Sequence, residues 1–282
     1  MKFVRFGADG RERPGLLDRE GRLRDLSKHV AQIDQSVFSP AGQRKMRGID
    51  PESLPLVRSG PRLGVPFVGI SKFVAIGLNY SDHAAESGLP IPGEPVVFNK
   101  WTTCISGPND DVVQPRDSIK LDWEVELGVV IGSTAQYVEE SAALRHVAGY
   151  CVVHDVSERN FQLERGPTWD RGKGCDTFGP IGPWLVTADE VRDPQSLGLW
   201  LDINGEPMQR GNTKSMIFGV ATIVSYLSRF MTLRPGDVIA TGTPPGVGMG
   251  RKPPKFLSPG DVVTLGVDGL GSQRQTIVAA PH

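Results

Sequence analysis

Cysteine is scarce in this sequence of 282 residues, which has only Cys104, Cys151 and Cys175. The three are odd in number and far apart, and no two share the C-x-x-C spacing of a zinc or redox site. This pattern favours free thiols in a reducing compartment over disulfides or bound zinc. We therefore predict a cytoplasmic protein.

An excess of charge of one sign is also lacking, because 31 lysines and arginines face 32 aspartates and glutamates and the formal net charge is -1. Such a chain has no sequence-independent attraction for nucleic acid or for an anionic membrane. No apolar run approaches the roughly 20 residues of a membrane span, and the N-terminal stretch MKFVRFGADG is interrupted too early for a signal peptide. We predict a small-molecule ligand and no nucleic-acid or membrane partner.

The composition divides the chain into a short and a long part. Residues 1–66 contain brief strand-like pieces separated by glycine-containing turns, which predict a small N-terminal β-rich domain. A proline-rich stretch ends this part. In residues 67–282, short β-rich runs alternate with turns and helices are the minority, so we predict a main domain of the α+β class that is dominated by sheets.

Two local patterns in the long part predict particular elements. Apolar residues recur at helical spacing from Met216 to Phe230, which predicts a buried helix that ends at the RPGD sequence. The pair Asn204-Gly205, between two strand-like runs, predicts a tight hairpin.

The stretch DWEVELGVV places Asp122, Glu124 and Glu126 at alternate positions of a predicted strand, so that they share one face. One reading is a half-buried strand whose acidic face is solvated. The apolar run that follows, LGVVIG, favours a second reading, because it places the acids next to the interior. Carboxylates close together in such surroundings repel one another and lose hydration, so that a proton or a cation must compensate.

A further carboxylate, Asp155, follows a second apolar strand in GYCVVHDVSERNFQ. Glu124, Glu126 and Asp155 form an oxygen ligand set without cysteine or paired histidine, which favours Mg²⁺ or Mn²⁺ over zinc. Three protein ligands leave about three of the six octahedral positions for water and substrate. The sequence thus predicts an open, catalytic metal site.

Six segments resemble, in this order, the signature segments of the fumarylacetoacetate hydrolase family: GLNYSDHAAE, DWEVELGVVIG, HDVSERNFQ, RGKGCDTFGPIGPWLVT, MIFGVATIVSYLS and LRPGDVIATGTPPGVG. The resemblance covers the chain from about residue 70 to the C-terminus. It implies a catalytic fold of mixed, rolled β-sheets, Mg²⁺ or Mn²⁺ bound by the E-x-E pair and the later aspartate, and usually a homodimer. The substrates it implies are 2-oxo or 2,4-dioxo acids.

The resemblance also implies roles for individual side chains. His83 and Glu86 would be the family's His-x-x-Glu pair, in which the carboxylate makes the imidazole basic enough to take a proton from water. A surface ion pair is the other reading, and the surrounding glycines and prolines suit either a lid over the site or an ordinary loop. The residues implied to contact substrate are Arg159, Gln162, Lys173 and Thr243.

Lys173 lies between glycines, which permit close approach to a ligand, and its ammonium could stabilise a carboxylate or an enolate; a solvated lysine is the alternative. The glycine-rich TGTPPGVGMGRK lacks the spacing of a phosphate-binding loop, so we predict no nucleotide site.

The predicted reaction is metal-assisted hydrolysis of the C3–C4 bond of a 2,4-dioxo acid, which gives pyruvate and a carboxylic acid. The chain looks most like bacterial members that act on 2,4-diketo-3-deoxy-L-rhamnonate or L-fuconate. Oxaloacetate decarboxylation, isomerisation of 2-hydroxyhepta-2,4-diene-1,7-dioate and ureidoglycolate cleavage are alternatives on the same scaffold. A non-catalytic module that binds a cation or metabolite is an alternative of another class.

Overall fold

A computed structural model of the protein describes residues 1–58, 60–82 and 90–281. Strands dominate this part of the chain. They are β1 (Lys2–Phe6), β2 (Arg13–Leu17), β3 (Leu23–Asp25), β4 (Leu63–Gly64), β5 (Phe73–Gly77), β6 (Val96–Lys100), β7 (Ile105–Ser106), β8 (Val112–Gln114), β9 (Leu121–Asp122), β10 (Val125–Ile131), β11 (Val147–His154), β12 (Ser157–Glu158), β13 (Gly179–Thr187), β14 (Gly198–Ile203), β15 (Glu206–Asn212), β16 (Val238–Ala240), β17 (Val262–Val267) and β18 (Gly271–Ala279).

The helices in the described residues are few and short. They are α1 (Gln35–Phe38), α2 (Pro40–Arg47), α3 (Glu140–Ala143), α4 (Arg159–Leu163), α5 (Asp170–Lys173) and α6 (Val220–Ser228), with single 3₁₀ turns at Pro51–Ser53, Thr102–Cys104, Leu144–His146, Ala188–Glu190, Thr213–Ser215 and Gly248–Gly250. Within the described residues, none of these helices has the length and apolar character that crossing a bilayer requires.

The strands of the described part form one large, one medium and one very small sheet. The large sheet has the order β3-β2-β1-β13-β11-β10-β16-β5-β6, with β4 also beside β1 and β7 also beside β13. The medium sheet has the order β15-β14-β17-β18-β8, and β12 pairs with β9. Most neighbours are antiparallel, but β16 pairs in parallel with β5, β13 with β7 and β18 with β8. The predicted β-rich α+β fold of mixed sheets is confirmed, and over the described ranges the strand orders close no barrel.

The N-terminal strands extend the large sheet. Strand β1 pairs with β13 through Lys2 opposite Val186 and Phe3 opposite Leu185, and β2 and β4 flank β1. The first part of the chain is therefore hydrogen-bonded to the sheet that also contains the E-x-E strand. The domain boundary near residue 66 stays a prediction.

The predicted helix is present but shorter than its apolar pattern. It begins at Val220, because the preceding residues are held elsewhere: Met216 forms an isolated β-bridge with Tyr80, and the backbone N–H of Phe218 donates to the Asn79 side chain at 2.8 Å. The helix ends at Ser228, and the last residue of the pattern, Phe230, is 66% exposed. Long-range hydrogen bonds thus override helical periodicity at its start.

The predicted hairpin is confirmed. Strands β14 and β15 are joined by Asn204 and Gly205, whose φ angles are 52° and 80°. Two successive positive φ angles are the requirement of a two-residue hairpin turn, which asparagine and glycine meet at the lowest cost.

The pairing of β10 with β11 positions the candidate site. Every residue of both strands is buried, which fits their continuous apolar sequences. Because the two strands are antiparallel, the start of β10 lies beside the end of β11, with Val125 opposite His154. The backbone N–H of Asp155 donates to the carbonyl of Glu124 at 3.0 Å. The E-x-E pair and Asp155 therefore meet at one edge of the buried sheet.

Candidate metal centre

Three carboxylates converge where β10 begins and β11 ends. Glu124, Glu126 and Asp155 each offer an oxygen, and these atoms lie within 4.8 Å of one another. Their exposed fractions are only 5%, 2% and 0%, so the solvated-face reading of the E-x-E sequence is wrong. The group is able to hold a metal ion, and its oxygen donors suit a hard divalent cation.

Asp122 does not share a continuous strand with the two glutamates. Strand β9 ends at Asp122, and β10 begins three residues later in another sheet. The Asp122 carboxylate accepts the backbone N–H groups of Trp123, Gly248 and Met249 at 2.8, 2.6 and 3.0 Å. With these bonds in place, Trp123 and Glu124 lie between the two strands and belong to neither. The Asp122 carboxylate contacts a loop and Arg159 rather than the candidate metal position.

The two glutamates have opposite electrostatic environments. Burial and the nearby charges of Asp155 and Glu124 raise the pKa of Glu126 well above its usual value, although one oxygen accepts the Gly242 N–H at 2.8 Å. Burial also disfavours the charged form of Glu124, but the charges of Lys173 and Arg159 outweigh it and lower its pKa to about 2. Glu124 is therefore fully compensated by protein cations, whereas Glu126 needs a proton or an added cation.

Lys173 bridges two of the three carboxylates. It lies at the end of α5 and is 2% exposed, so the solvated-lysine reading is wrong. Its Nζ donates to Glu124 Oε2 at 2.6 Å and to Asp155 Oδ2 at 2.8 Å. Its neighbour Gly174 has no room for a side chain, because a Cβ there would lie 2.8 Å from the Trp101 ring. The ammonium is held at the edge of the carboxylate group, where it can donate to a further anion.

Lys100 belongs to the same cluster and was not predicted from the sequence. It is the last residue of β6, and its Nζ donates to Asp155 Oδ1 at 2.6 Å. Burial disfavours its charged form, but Asp155 outweighs this and raises the pKa of Lys100. The available signal was strand alternation, which places Lys100 on the same inward face as Phe98.

Arg159 and Gln162 lie on one turn of α4, behind Glu124. The Arg159 guanidinium donates to Asp122 Oδ2 at 2.8 Å, to Glu124 Oε1 at 2.6 Å and to Gln162 Oε1 at 3.0 Å. Glu158 caps this helix by accepting the backbone N–H of Asn160 at 3.0 Å. The cap orients the first turn so that arginine and glutamine both face the cluster.

Thr243 lies beside the start of β10 and lines the same cavity as Arg159. Its hydroxyl donates to the carbonyl of Val125 at 2.9 Å and accepts from Gln209 Nε2 at 2.8 Å. Gln209 is fully buried and also accepts the N–H of Val125 at 3.0 Å. Sequence reasoning missed Gln209, whose only signal was a polar residue in an inward position of a predicted hairpin.

His83 and Glu86 lie outside the described residues, so their pairing and the predicted lid stay predictions. The histidine that does lie beside the cluster is His154, next to Asp155. Burial lowers the pKa of His154 to about 3. His154 is neutral at physiological pH and would have little tendency to remove a proton from water.

A cavity of about 90 Å³ opens onto the carboxylates. Its described polar lining consists of Glu124, Glu126, Arg159, Gln162, Lys173 and Thr243. Its described apolar lining consists of Ile76, Leu78, Phe98, Leu163, Trp169 and Met249. The cavity lining thus includes the sequence-predicted metal and substrate residues of the described part except Asp155, whose carboxylate lies within 4.8 Å of those of Glu124 and Glu126.

Comparison with known proteins agrees with this geometry. The family described as "Fumarylacetoacetate (FAA) hydrolase C-terminal" matches residues 72–278. A provisionally named hydrolase of Burkholderia lata is 61% identical over 276 residues, 98% of each chain. The fumarylacetoacetate hydrolase of Exiguobacterium antarcticum has a similar structure (TM-score 0.88, 37% identity, 99% of this chain and 100% of that one). The maleylpyruvate hydrolase of Sphingobium sp. SYK-6 also has a similar structure (TM-score 0.82, 28% identity, 99% of this chain and 100% of that one). This chain belongs to the fumarylacetoacetate hydrolase family, whose members are hydrolases and isomerases.

Proposed function

We propose that the protein is a divalent-metal-dependent hydrolase of 2,4-dioxo acids of the acylpyruvate type, and that it acts as a homodimer. The observation that carries the proposal is the buried group of three carboxylates with Lys173 at its edge. The maleylpyruvate hydrolase, to which the chain is similar along its whole length, supports this reaction class by its name. Size-exclusion chromatography with light scattering would test the dimer.

The residues present fit a hard divalent ion. Glu124, Glu126 and Asp155 would hold it, and of these Glu126 has no ion-pair partner among the described residues. When bound, Mg²⁺ or Mn²⁺ supplies a Lewis acid that polarises a 2-oxo acid and stabilises negative charge. Without a metal, burial and the neighbouring carboxylates raise the pKa of Glu126, and a bound divalent ion would compensate the charge that they disfavour.

The protein's own groups account for the remaining steps. Arg159, Gln162 and Thr243 would orient the substrate, and the His83-Glu86 pair would take a proton from a water whose oxygen adds to C4. The C3–C4 bond then breaks, its electron pair remains on C3, and Lys173 stabilises the resulting negative charge on the pyruvate fragment. Protonation of C3 completes the balance: one dioxo acid and one water give pyruvate, a carboxylate and a proton.

Replacing Glu126 by glutamine is expected to stabilise the metal-free protein at neutral pH by about 1–3 kcal/mol, since it removes a buried carboxyl whose pKa is raised by burial and by Asp155, and keeps the acceptor for the Gly242 N–H. The same variant should lose most of the rise in melting temperature that Mg²⁺ gives the parent. Differential scanning calorimetry with and without Mg²⁺ measures both effects.

The matched control is Glu124→Gln, which leaves Arg159 and Lys173 each without one carboxylate partner. This variant should be less stable than the parent without metal, by about 3–5 kcal/mol. A Glu126→Gln protein that Mg²⁺ stabilises as strongly as it does the parent would contradict the metal assignment.

The reaction itself is tested by following pyruvate release from acylpyruvates with purified protein. We expect turnover with Mg²⁺ or Mn²⁺, loss of turnover with a chelator and its return on adding the ion. Metal-independent turnover, or binding without turnover across the acylpyruvate series, would contradict the proposal; the second result would favour a metabolite-binding module.

A further inference from the structure

The cavity has a charged end and an apolar end that follow one another in space. The Lys173 ammonium lies 5.2 Å from the centre of the Phe98 ring, and the Phe98 ring lies 5.4 Å from that of Trp169 in an edge-to-face contact. The Trp169 ring packs directly over Gly77, where a Cβ would lie 2.3 Å from its Cζ3 atom. A substrate whose carboxylate end lies at the cluster would therefore extend along an aromatic wall.

The apolar end has little to offer a polar group. Leu78, Leu163 and Met249 line it together with the aromatic pair, and Leu163 is 48% exposed at its outer limit. Among the described lining residues, the cations are Arg159 and Lys173, and both are already bonded to carboxylates. A charged or polyhydroxylated group against these described apolar side chains would lose water without gaining matching partners from them, which is costly.

We infer that the group attached to C4 of the substrate is an uncharged hydrocarbon, either aliphatic or aromatic, and that the enzyme discriminates against a second carboxylate and against a polyol chain. This inference rests on the proposed function and narrows its substrate class. It replaces the sugar-acid candidates that the family resemblance suggested with acylpyruvates of apolar acids.

The first test compares two substrates that differ in one group. Butanoylpyruvate and succinylpyruvate have acyl parts of four carbons, and the terminal methyl of the first is a carboxylate in the second. We expect kcat/KM to be at least about tenfold higher for butanoylpyruvate, because an unpartnered buried charge costs more than a methylene gains. Equal or higher kcat/KM for succinylpyruvate, or for a 2,4-diketo-3-deoxy sugar acid, would overturn the inference while leaving the proposed reaction intact.

The second test asks whether a cation placed on the apolar wall changes the substrate preference. Leu163→Arg places a cation at the exposed limit of the apolar wall, where folding should tolerate it. The ratio of kcat/KM for butanoylpyruvate to that for succinylpyruvate should fall at least about fivefold, which corresponds to roughly 1 kcal/mol. The control is Leu144→Arg, a leucine of similar exposure at 44% that lies outside the cavity lining, and it should leave the ratio unchanged. Equal ratios in the two variants would contradict the assignment of the wall.

A binding measurement keeps the inference testable if no acylpyruvate is cleaved. Calorimetry with Mg²⁺ present compares 2-oxohexanoate with 2-oxoadipate, which has the same chain length and a second carboxylate. The inference predicts tighter binding of 2-oxohexanoate by at least about tenfold. Preferential binding of 2-oxoadipate would overturn it, whatever the outcome for catalysis.

Discussion

Replacing His83 by alanine is expected to lower the rate of acylpyruvate hydrolysis by about a hundredfold to ten-thousandfold, the usual effect of losing a general base. The described residues contain one histidine beside the cluster, His154, and burial keeps it neutral. Hydrolysis needs a water activated next to C4, whereas oxaloacetate decarboxylation needs only stabilisation of an enolate. The variant should therefore keep Mg²⁺ affinity and part of any decarboxylase activity.

The control for this prediction is the exposed histidine His29, in the N-terminal part of the chain. His29→Ala should hydrolyse acylpyruvates like the parent. Hydrolysis by His83→Ala at near the parent rate would show that the His83-Glu86 pair is an ordinary surface pair, and the mechanism would fail even though the family assignment stands. Loss of hydrolysis and decarboxylation together with loss of Mg²⁺ binding would instead place His83 in the metal site.

Replacing Lys173 by methionine is expected to lower kcat for acylpyruvates by about 10²–10³-fold, because it removes a donor aimed at charge that develops in the transition state. Without metal, the variant should also lose about 3–5 kcal/mol of unfolding free energy, since Glu124 and Asp155 share this ammonium inside the protein. Added Mg²⁺ should restore part of that stability, because the ion compensates the same carboxylates. Urea unfolding with and without Mg²⁺ measures the stability effect.

Lys120→Met makes the same chemical change at a partly exposed pair with Glu164, where both side chains reach water. Its effect should stay below about 1 kcal/mol and should not depend on Mg²⁺. A Lys173→Met protein as stable as the Lys120→Met control, with kcat near that of the parent, would show that the buried ammonium neither supports the carboxylates nor acts on substrate.

The carboxylate group could be predicted from the sequence because the pattern that indicates it, acids next to apolar strands, lies within short stretches of the chain. Glu124 directly precedes one apolar strand, Glu126 is its second residue, and Asp155 follows another; antiparallel pairing of the two strands then brings the three together. The supporting residues could not be found in this way. Lys100 and Gln209 come from β6 and β15, whose positions at the site depend on long-range packing and on hydrogen bonds to Asp155 and Val125.

The same distinction explains the local errors. Asp122 fits the alternation of the E-x-E strand, yet three backbone N–H groups bond its carboxylate and break the strand at Trp123. The apolar period around α6 extends further than the helix, because Asn79 binds the backbone before Val220. In both places a hydrogen-bond partner distant in sequence competes with the periodic pattern, and no local pattern records such a partner.

The proposed reaction is hydrolysis of the C3–C4 bond of an acylpyruvate. Turnover of butanoylpyruvate in ¹⁸O-labelled water, with Mg²⁺ present and the released butanoate analysed by mass spectrometry, distinguishes this reaction from its alternatives. We expect one ¹⁸O atom in each butanoate and one pyruvate for each substrate consumed. Release of carbon dioxide, or isomerisation of the substrate without cleavage, would contradict it.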